Sequence, residues 1–231
     1  IIDLCHSVRP QNILQAAFFL ESSFDYLPMQ SICLAVIDPG VGTKRRIVLL
    51  SMEQRYILAP DNGLLTLLLK RPEEKTCLEI KTKGHSGASS TFHGRDIFCP
   101  VASQWALGHA EQSLGRAIDP RELKRLKLPE ASMSIGQIEA FVLHIDNFGN
   151  CVLNLDIGNY WGKINQFSDL KLSHPALSPI YPVSAYAFIP ESGLGLIPGS
   201  QGYLELALNS SSCAGMLGLE IGDRLSLSFK D

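Results

Sequence analysis

The 231-residue chain has no Cys-x-x-Cys pair, no His-x-x-x-His spacing and no apolar run approaching the roughly 18 residues that span a bilayer. Each absence removes a class of function. Without paired thiols or paired imidazoles, a zinc centre or metal-hydrolase site has no sequence support. Without a long apolar run, no membrane partner is expected. An excess of positive charge is missing too: 19% of residues are charged and the net charge is −3, so nucleic acid is not an expected partner. Nothing resembles a secretory signal peptide, a Walker loop, an internal repeat or a low-complexity segment. The six cysteines (5, 33, 77, 99, 151 and 213) therefore read as reduced thiols of a cytoplasmic protein. Those at 5, 33, 99 and 151 sit in apolar stretches and are expected to be buried. There is no initiator Met, and Ile-Ile-Asp-Leu at the start reads as a strand, as in a fragment, a processed chain or a trimmed one.

What is present divides the chain by texture. In residues 1–121, apolar runs alternate with amphipathic stretches. Residues 10–27 carry Ile13, Ala16, Ala17, Leu20 and Phe24 at helical spacing. Strands are expected at 1–4, 32–37, 47–51 and 56–59, with short helices at 64–69 and 98–107. Strand and helix in turn imply an α/β domain with a mostly parallel sheet and flanking helices. Residues 122–134, rich in Lys, Arg, Glu and Pro, read as a linker. Residues 135–231 carry short β-like runs at 138–145, 151–155, 185–189, 203–208 and 224–229, the pattern of an antiparallel sandwich or barrel.

The most informative loop is Asp38-Pro-Gly-Val-Gly-Thr-Lys-Arg45-Arg46, which ends a buried strand. Glycines at 40 and 42 let the backbone approach a ligand, and an acid at a strand tip with a returning arginine is an active-site edge in α/β folds. The bland alternative is a surface ion pair that steadies a turn. A second cluster, Ser90-Thr-Phe92-His93-Gly94-Arg95-Asp96, has a histidine beside a glycine; a lone histidine is more often structural than catalytic. Asp146-Asn-Phe148-Gly-Asn150 and Gly199-Ser200-Gln-Gly202 read first as turns and second as ligand loops. The two glycines at 40 and 42 do not make a dinucleotide fingerprint, which needs a third glycine and a following helix.

Five segments occur in order: Asp-Pro-Gly-Val-Gly-Thr-Lys-Arg-Arg, Ala-Pro-Asp-Asn-Gly-Leu-Leu-Thr, Ser-Thr-Phe-His-Gly-Arg-Asp-Ile-Phe, Ile-Asp-Asn-Phe-Gly-Asn and Gly-Ser-Gln-Gly-Tyr-Leu-Glu-Leu-Ala. Together they resemble the S-adenosyl-L-methionine (SAM) hydroxide adenosyltransferase family, relatives of the fluorinase and chlorinase enzymes, over the whole chain. The resemblance implies an α/β domain followed by a β-barrel, and a homotrimer with active sites between subunits. It implies hydrolysis of SAM to adenosine and L-methionine without a cofactor or metal. By motif match the catalytic set falls on Asp38, Arg45 and His93. Purine and ribose contacts fall on Asn62, Phe92 and Gly94, and the methionine end on Asp146 and Asn150 with Phe148 and Ser200 nearby. The halogenases are understood to carry tyrosine where this chain has Asp38 and His93, and a tryptophan where it has Gln11. The family's usual opening strand with its Thr-Asp-Phe-Gly turn, whose Asp holds the ribose hydroxyls, is not seen ahead of Ile1. A non-catalytic binder of adenosine or SAM is therefore the alternative reading, and a halide-dependent transferase a more distant one.

Overall fold

The computed structural model describes residues 1–82, 89–167, 169–173 and 177–230. They form two compact units, Ile1–Lys127 and Leu128–Asp231.

The first unit is an α/β layer structure. Its strands are β1 (Ile32–Leu34), β2 (Ile47–Met52), β3 (Arg55–Pro60), β4 (Lys75–Ile80) and β5 (Gly115–Ile118), in the sheet order β1-β3-β2-β4-β5. β2 is central, and its apolar run is continuous rather than alternating because both faces are covered. Val48, Leu50 and Met52 pack with Ala16, Leu20 and Phe24, from helix α1 (Ile13–Ser23) and the turn after it. Ile47 and Leu49 pack on the other face with Val101 of α2 (Cys99–Ala106). The Asn12 side chain caps α1 by accepting from the Gln15 amide, so the helix begins three residues after Pro10.

The expectation of a mostly parallel sheet is corrected. Only β1–β3 is parallel; β2–β3, β2–β4 and β4–β5 are antiparallel. The reason is local. Glu53 and Gln54 both adopt positive φ (48° and 57°) and close a two-residue hairpin between β2 and β3. Such hairpins are usually written Asn-Gly or Asp-Gly, so Glu-Gln gives no warning. Ile1–Leu4 is not a strand either. Among the described residues no strand pairs with it, and Ile1, Ile2 and Leu4 are exposed. Residues 64–69 form tight turns and then a short 3₁₀ turn, Leu68–Lys70, rather than an α-helix.

The second unit has strands β6 (Ser132–Ser134), β7 (Gln137–Ile145), β8 (Cys151–Asp156), β9 (Lys171–Ser173), β10 (Leu177–Pro182), β11 (Leu194–Pro198), β12 (Tyr203–Leu208) and β13 (Arg224–Ser228). β7 to β13 close into a barrel because β13 pairs with β7 as well as β9. Two short helices, Ile157–Ile164 and Cys213–Leu217, accompany it. Alternation fills the barrel: Leu204, Leu206 and Leu208 of β12 point into the core with Leu153, Leu155 and Leu196. Residues 185–189, expected as a strand, instead contain a 3₁₀ turn, Tyr186–Phe188. They belong to the crossover that parallel pairing of β10 with β11 requires.

The stretch 122–134 is no free tether in its first half. The Lys124 amide donates to buried Asp61 (2.8 Å) and the Leu126 amide to Thr66 Oγ1 (2.8 Å). Of the cysteines, Cys77, Cys151 and Cys213 are buried and Cys5 and Cys33 are partly so. Burial pushes the Cys77 thiol up to about 12 and the Cys33 thiol up to about 11. Cys99 is exposed, contrary to expectation, because α2 buries its Val101 face.

Candidate active site

Two motifs distant in sequence meet in the first unit. The loop after β1 turns on Gly40, whose carbonyl accepts from the Thr43 amide (3.1 Å) and hydroxyl (2.7 Å). Gly42 has φ of +78°, and a Cβ there would lie 2.8 Å from the Ser90 carbonyl oxygen. Glycine is required on both counts, and the contact seats this loop against the 90–96 segment. The turn brings Arg45 back over Asp38. Arg45 Nε donates to Asp38 Oδ1 (2.8 Å) and Oδ2 (2.7 Å), and Nη2 donates to Oδ2 as well. Their side chains are only 4% and 5% exposed, so this is a sequestered ion pair and not a surface one.

Arg45 Nη2 also reaches His93 Nδ1 at 2.8 Å. A guanidinium has no acceptor and keeps its protons, so Nδ1 must accept. The imidazole is thereby held as the tautomer with its proton on Nε2. His93 stands at the start of a π-helical turn, Gly94–Phe98, that leads into α2. Such turns re-aim side chains and recur at functional positions.

The neighbouring residues divide into those that support the loop and those that face outward. Asn62 donates through Nδ2 to the Ile37 carbonyl (2.9 Å) and accepts through Oδ1 from the Leu64 amide (3.2 Å). Both ends of its amide are engaged with backbone, next to Asp38. Arg46 turns away from the site, its Nε donating to Asp61 (2.8 Å). Phe92 is exposed, with the Arg95 guanidinium 5.1 Å above its ring. Arg95 and the Ser89 amide hold the Asp96 carboxyl down at about 2. A Cβ on Gly94 would meet only Val36, at 3.6 Å, which leaves space beside His93. Gln11 is exposed, on a positive-φ turn before α1.

The second unit presents a pocket of about 650 Å³ on the barrel. Asp146, Phe148 and Asn150 line it, together with Tyr186, Asn209 and Ser212, which carried no sequence signal. Asp146 accepts from the amides of Phe148 (2.9 Å) and Asn150 (2.8 Å) and from Asn150 Nδ2 (2.9 Å). The turn reading holds, and Asp146, whose carboxylate builds that turn, is also a lining residue of the pocket. Among the described lining residues none is Lys or Arg, so the acid has no cationic partner there. Ser200 is exposed at the tip of the β11–β12 turn, away from the lining. Tyr186 comes from the β10–β11 crossover and Asn209 from just after β12, and neither placement can be read from a motif.

Among the described residues no group of three or more His, Cys, Asp or Glu is arranged to hold a metal ion. His85 and His174 lie outside the described residues. No helix among those described is long and apolar enough to cross a membrane.

Comparison with known proteins agrees over both units. Residues 1–115 match the SAM hydroxide adenosyltransferase N-terminal domain, and residues 140–226 match its C-terminal domain. The chain is 33% identical to an (R)-S-adenosyl-L-methionine hydrolase of Salinispora tropica, over 99% of this chain and 86% of that one. It is 26% identical to a fluorinase of Actinopolyspora mzabensis, over 93% and 82% of the two chains. The crystal structure of an uncharacterised conserved protein of Thermotoga maritima superimposes with a TM-score of 0.89 at 27% identity, covering 99% of this chain and 88% of that one.

Proposed function

The chain belongs to the SAM hydroxide adenosyltransferase family, and from that premise we propose that it hydrolyses S-adenosyl-L-methionine to adenosine and L-methionine. The observation that carries the reading is the contact series Asp38–Arg45–His93, which joins two motifs 48 residues apart in one partly sequestered cluster.

The chemistry fits these residue types. A sulfonium leaves readily, so displacement at the ribose 5′-carbon depends on a placed nucleophile more than on an acid. Water attacks C5′, the C5′–S bond breaks with its electron pair going to sulfur, and the attacking water loses one proton. His93, held with Nε2 protonated, orients that water by donating to its oxygen. Among the described residues Asp38 Oδ1 accepts one hydrogen bond, from Arg45, and so has a lone pair for the departing proton. Arg45 fixes both partners and balances the acid's charge. Positioned proton acceptance typically contributes about 10² to 10⁴-fold, and alignment of water with carbon contributes further.

Asp146, with no Lys or Arg among the described residues lining its pocket, suits the substrate's ammonium group, with Asn150 and Phe148 beside it, whereas Ser200 lies outside that lining. Phe92, Gly94, Gln11 and the loop supported by Asn62 face the nucleoside. The reaction needs no cofactor or metal. The protein works as a cytoplasmic homotrimer with active sites between subunits, a role for which exposed Leu34, Val36 and Phe92, close to the cluster in sequence, are available. Chromatography of a reaction with SAM tests the reading: adenosine release above the uncatalysed background supports it, and none from a well-folded trimer sinks it.

A further inference from the structure

The barrel contains a buried acid that the proposed chemistry does not use. Glu205 is 5% exposed, in the middle of β12. Its strand neighbours Leu204 and Leu206 enter the barrel core, so Glu205 points outward, as Ala207 does. That outer face is covered by the β10–β11 crossover, whose Val183 and Ile189 pack on Ile197 and Ala207. Beneath this cover the Tyr186 hydroxyl donates to Glu205 Oε2 at 2.7 Å. Burial raises the Glu205 carboxyl, and burial together with this bond raises the Tyr186 phenol.

A buried carboxylate costs stability, and an apolar residue would fill the space more cheaply. The fold nevertheless makes room for it. A Cβ at Gly199 would lie 2.1 Å from Glu205 Oε1 and 2.7 Å from its Cδ, so a side chain at 199 would displace the carboxylate. Tyr186 is half exposed, and its turn, Tyr186–Phe188, exposes Phe188 still more. Ile189 anchors the end of the turn in the apolar cover, and the bond to Glu205 sets where the Tyr186 ring stands. The ring is one wall of the 650 Å³ pocket that also holds Asp146 and Asn150, whereas Glu205 is not among the lining residues.

We propose that Glu205 is a positioning residue for substrate binding, acting through Tyr186: it holds the phenol so that the aromatic ring forms a fixed wall of the barrel pocket. This rests on the reading of that pocket as part of the SAM site.

The test is kinetic, on the whole chain with SAM as probe. Tyr186→Phe removes one oxygen and is expected to raise KM about fivefold with kcat within about twofold, the scale of a single hydrogen bond. Glu205→Leu should match it, and the double variant should be no worse than either single, because all three break one contact. Glu205→Gln, which keeps an acceptor for the phenol, should recover most of the lost KM. Gly199→Ala should raise KM although both partners are still present. An unchanged KM in Tyr186→Phe and Gly199→Ala overturns the proposal, as do additive single effects or a loss confined to kcat. If the unmodified protein releases no adenosine, the hydrolase reading fails, and the variants are ranked by calorimetric Kd for SAM instead. The same ranking supports the positioning role; equal Kd values, or no binding by the unmodified protein, overturn it.

Discussion

The two units handle buried acid in opposite ways. In the first, Asp38 is matched by a guanidinium that also engages His93, so charge is balanced inside a tight loop. In the barrel, Asp146 is held by amide donors and Glu205 by a phenol, with no Lys or Arg among the described residues lining the pocket. Neutral donors orient a carboxylate but leave its charge uncompensated. The first arrangement suits control of a nucleophile, and the second suits attraction of a cation. A substrate carrying ammonium and sulfonium charge calls for both.

The contrast can be broken most forcefully at Arg45. Arg45→Met strands the Asp38 carboxylate with almost no solvent access, and should destabilise the protein by about 3–5 kcal/mol in urea unfolding. A loss under 1 kcal/mol would mean that water reaches the pair. His93→Ala leaves the ion pair intact and should slow turnover by about 10² to 10³-fold with the Kd for SAM within about threefold. Equal effects on rate and affinity would deny it a catalytic role. Asp146→Asn keeps acceptors for the turn but removes the charge. It should weaken SAM binding about tenfold with little change in kcat, and unaltered affinity would refute the proposed cationic partner.

The mildest prediction concerns Asp96. Its carboxyl lies at about 2 against an ordinary 3.8, so the contribution of its Arg95 and Ser89 contacts is complete above about 4 and is lost as pH falls through 2. The Ser89 amide resonance should titrate with a midpoint near 2. A midpoint near 4 would show that these contacts do not hold in solution.

Much of the first unit was legible because its signals are local. The Ile47–Leu50 run, the Pro60-Asp-Asn-Gly63 turn and the helical spacing of residues 13–24 announce themselves through side-chain period and turn chemistry. The antiparallel sheet was hidden because its hairpin uses Glu53 and Gln54, residues that tolerate positive φ only at a cost. The 3₁₀ turn at 186–188 reads as a strand from sequence because Ala185 to Ile189 form a continuous apolar, aromatic-rich run, as buried strands do.

The sequence by itself determined the two textures of the chain, the loops able to bring backbone close to a ligand, and, through five ordered motifs, the family. Tertiary structure decided how Arg45 sets the His93 tautomer, why Asn62 supports the loop from behind, and where Glu205 places Tyr186. Motifs record local backbone demands. A side chain's partner depends on how distant strands and loops pack, and spacing along the chain does not encode that.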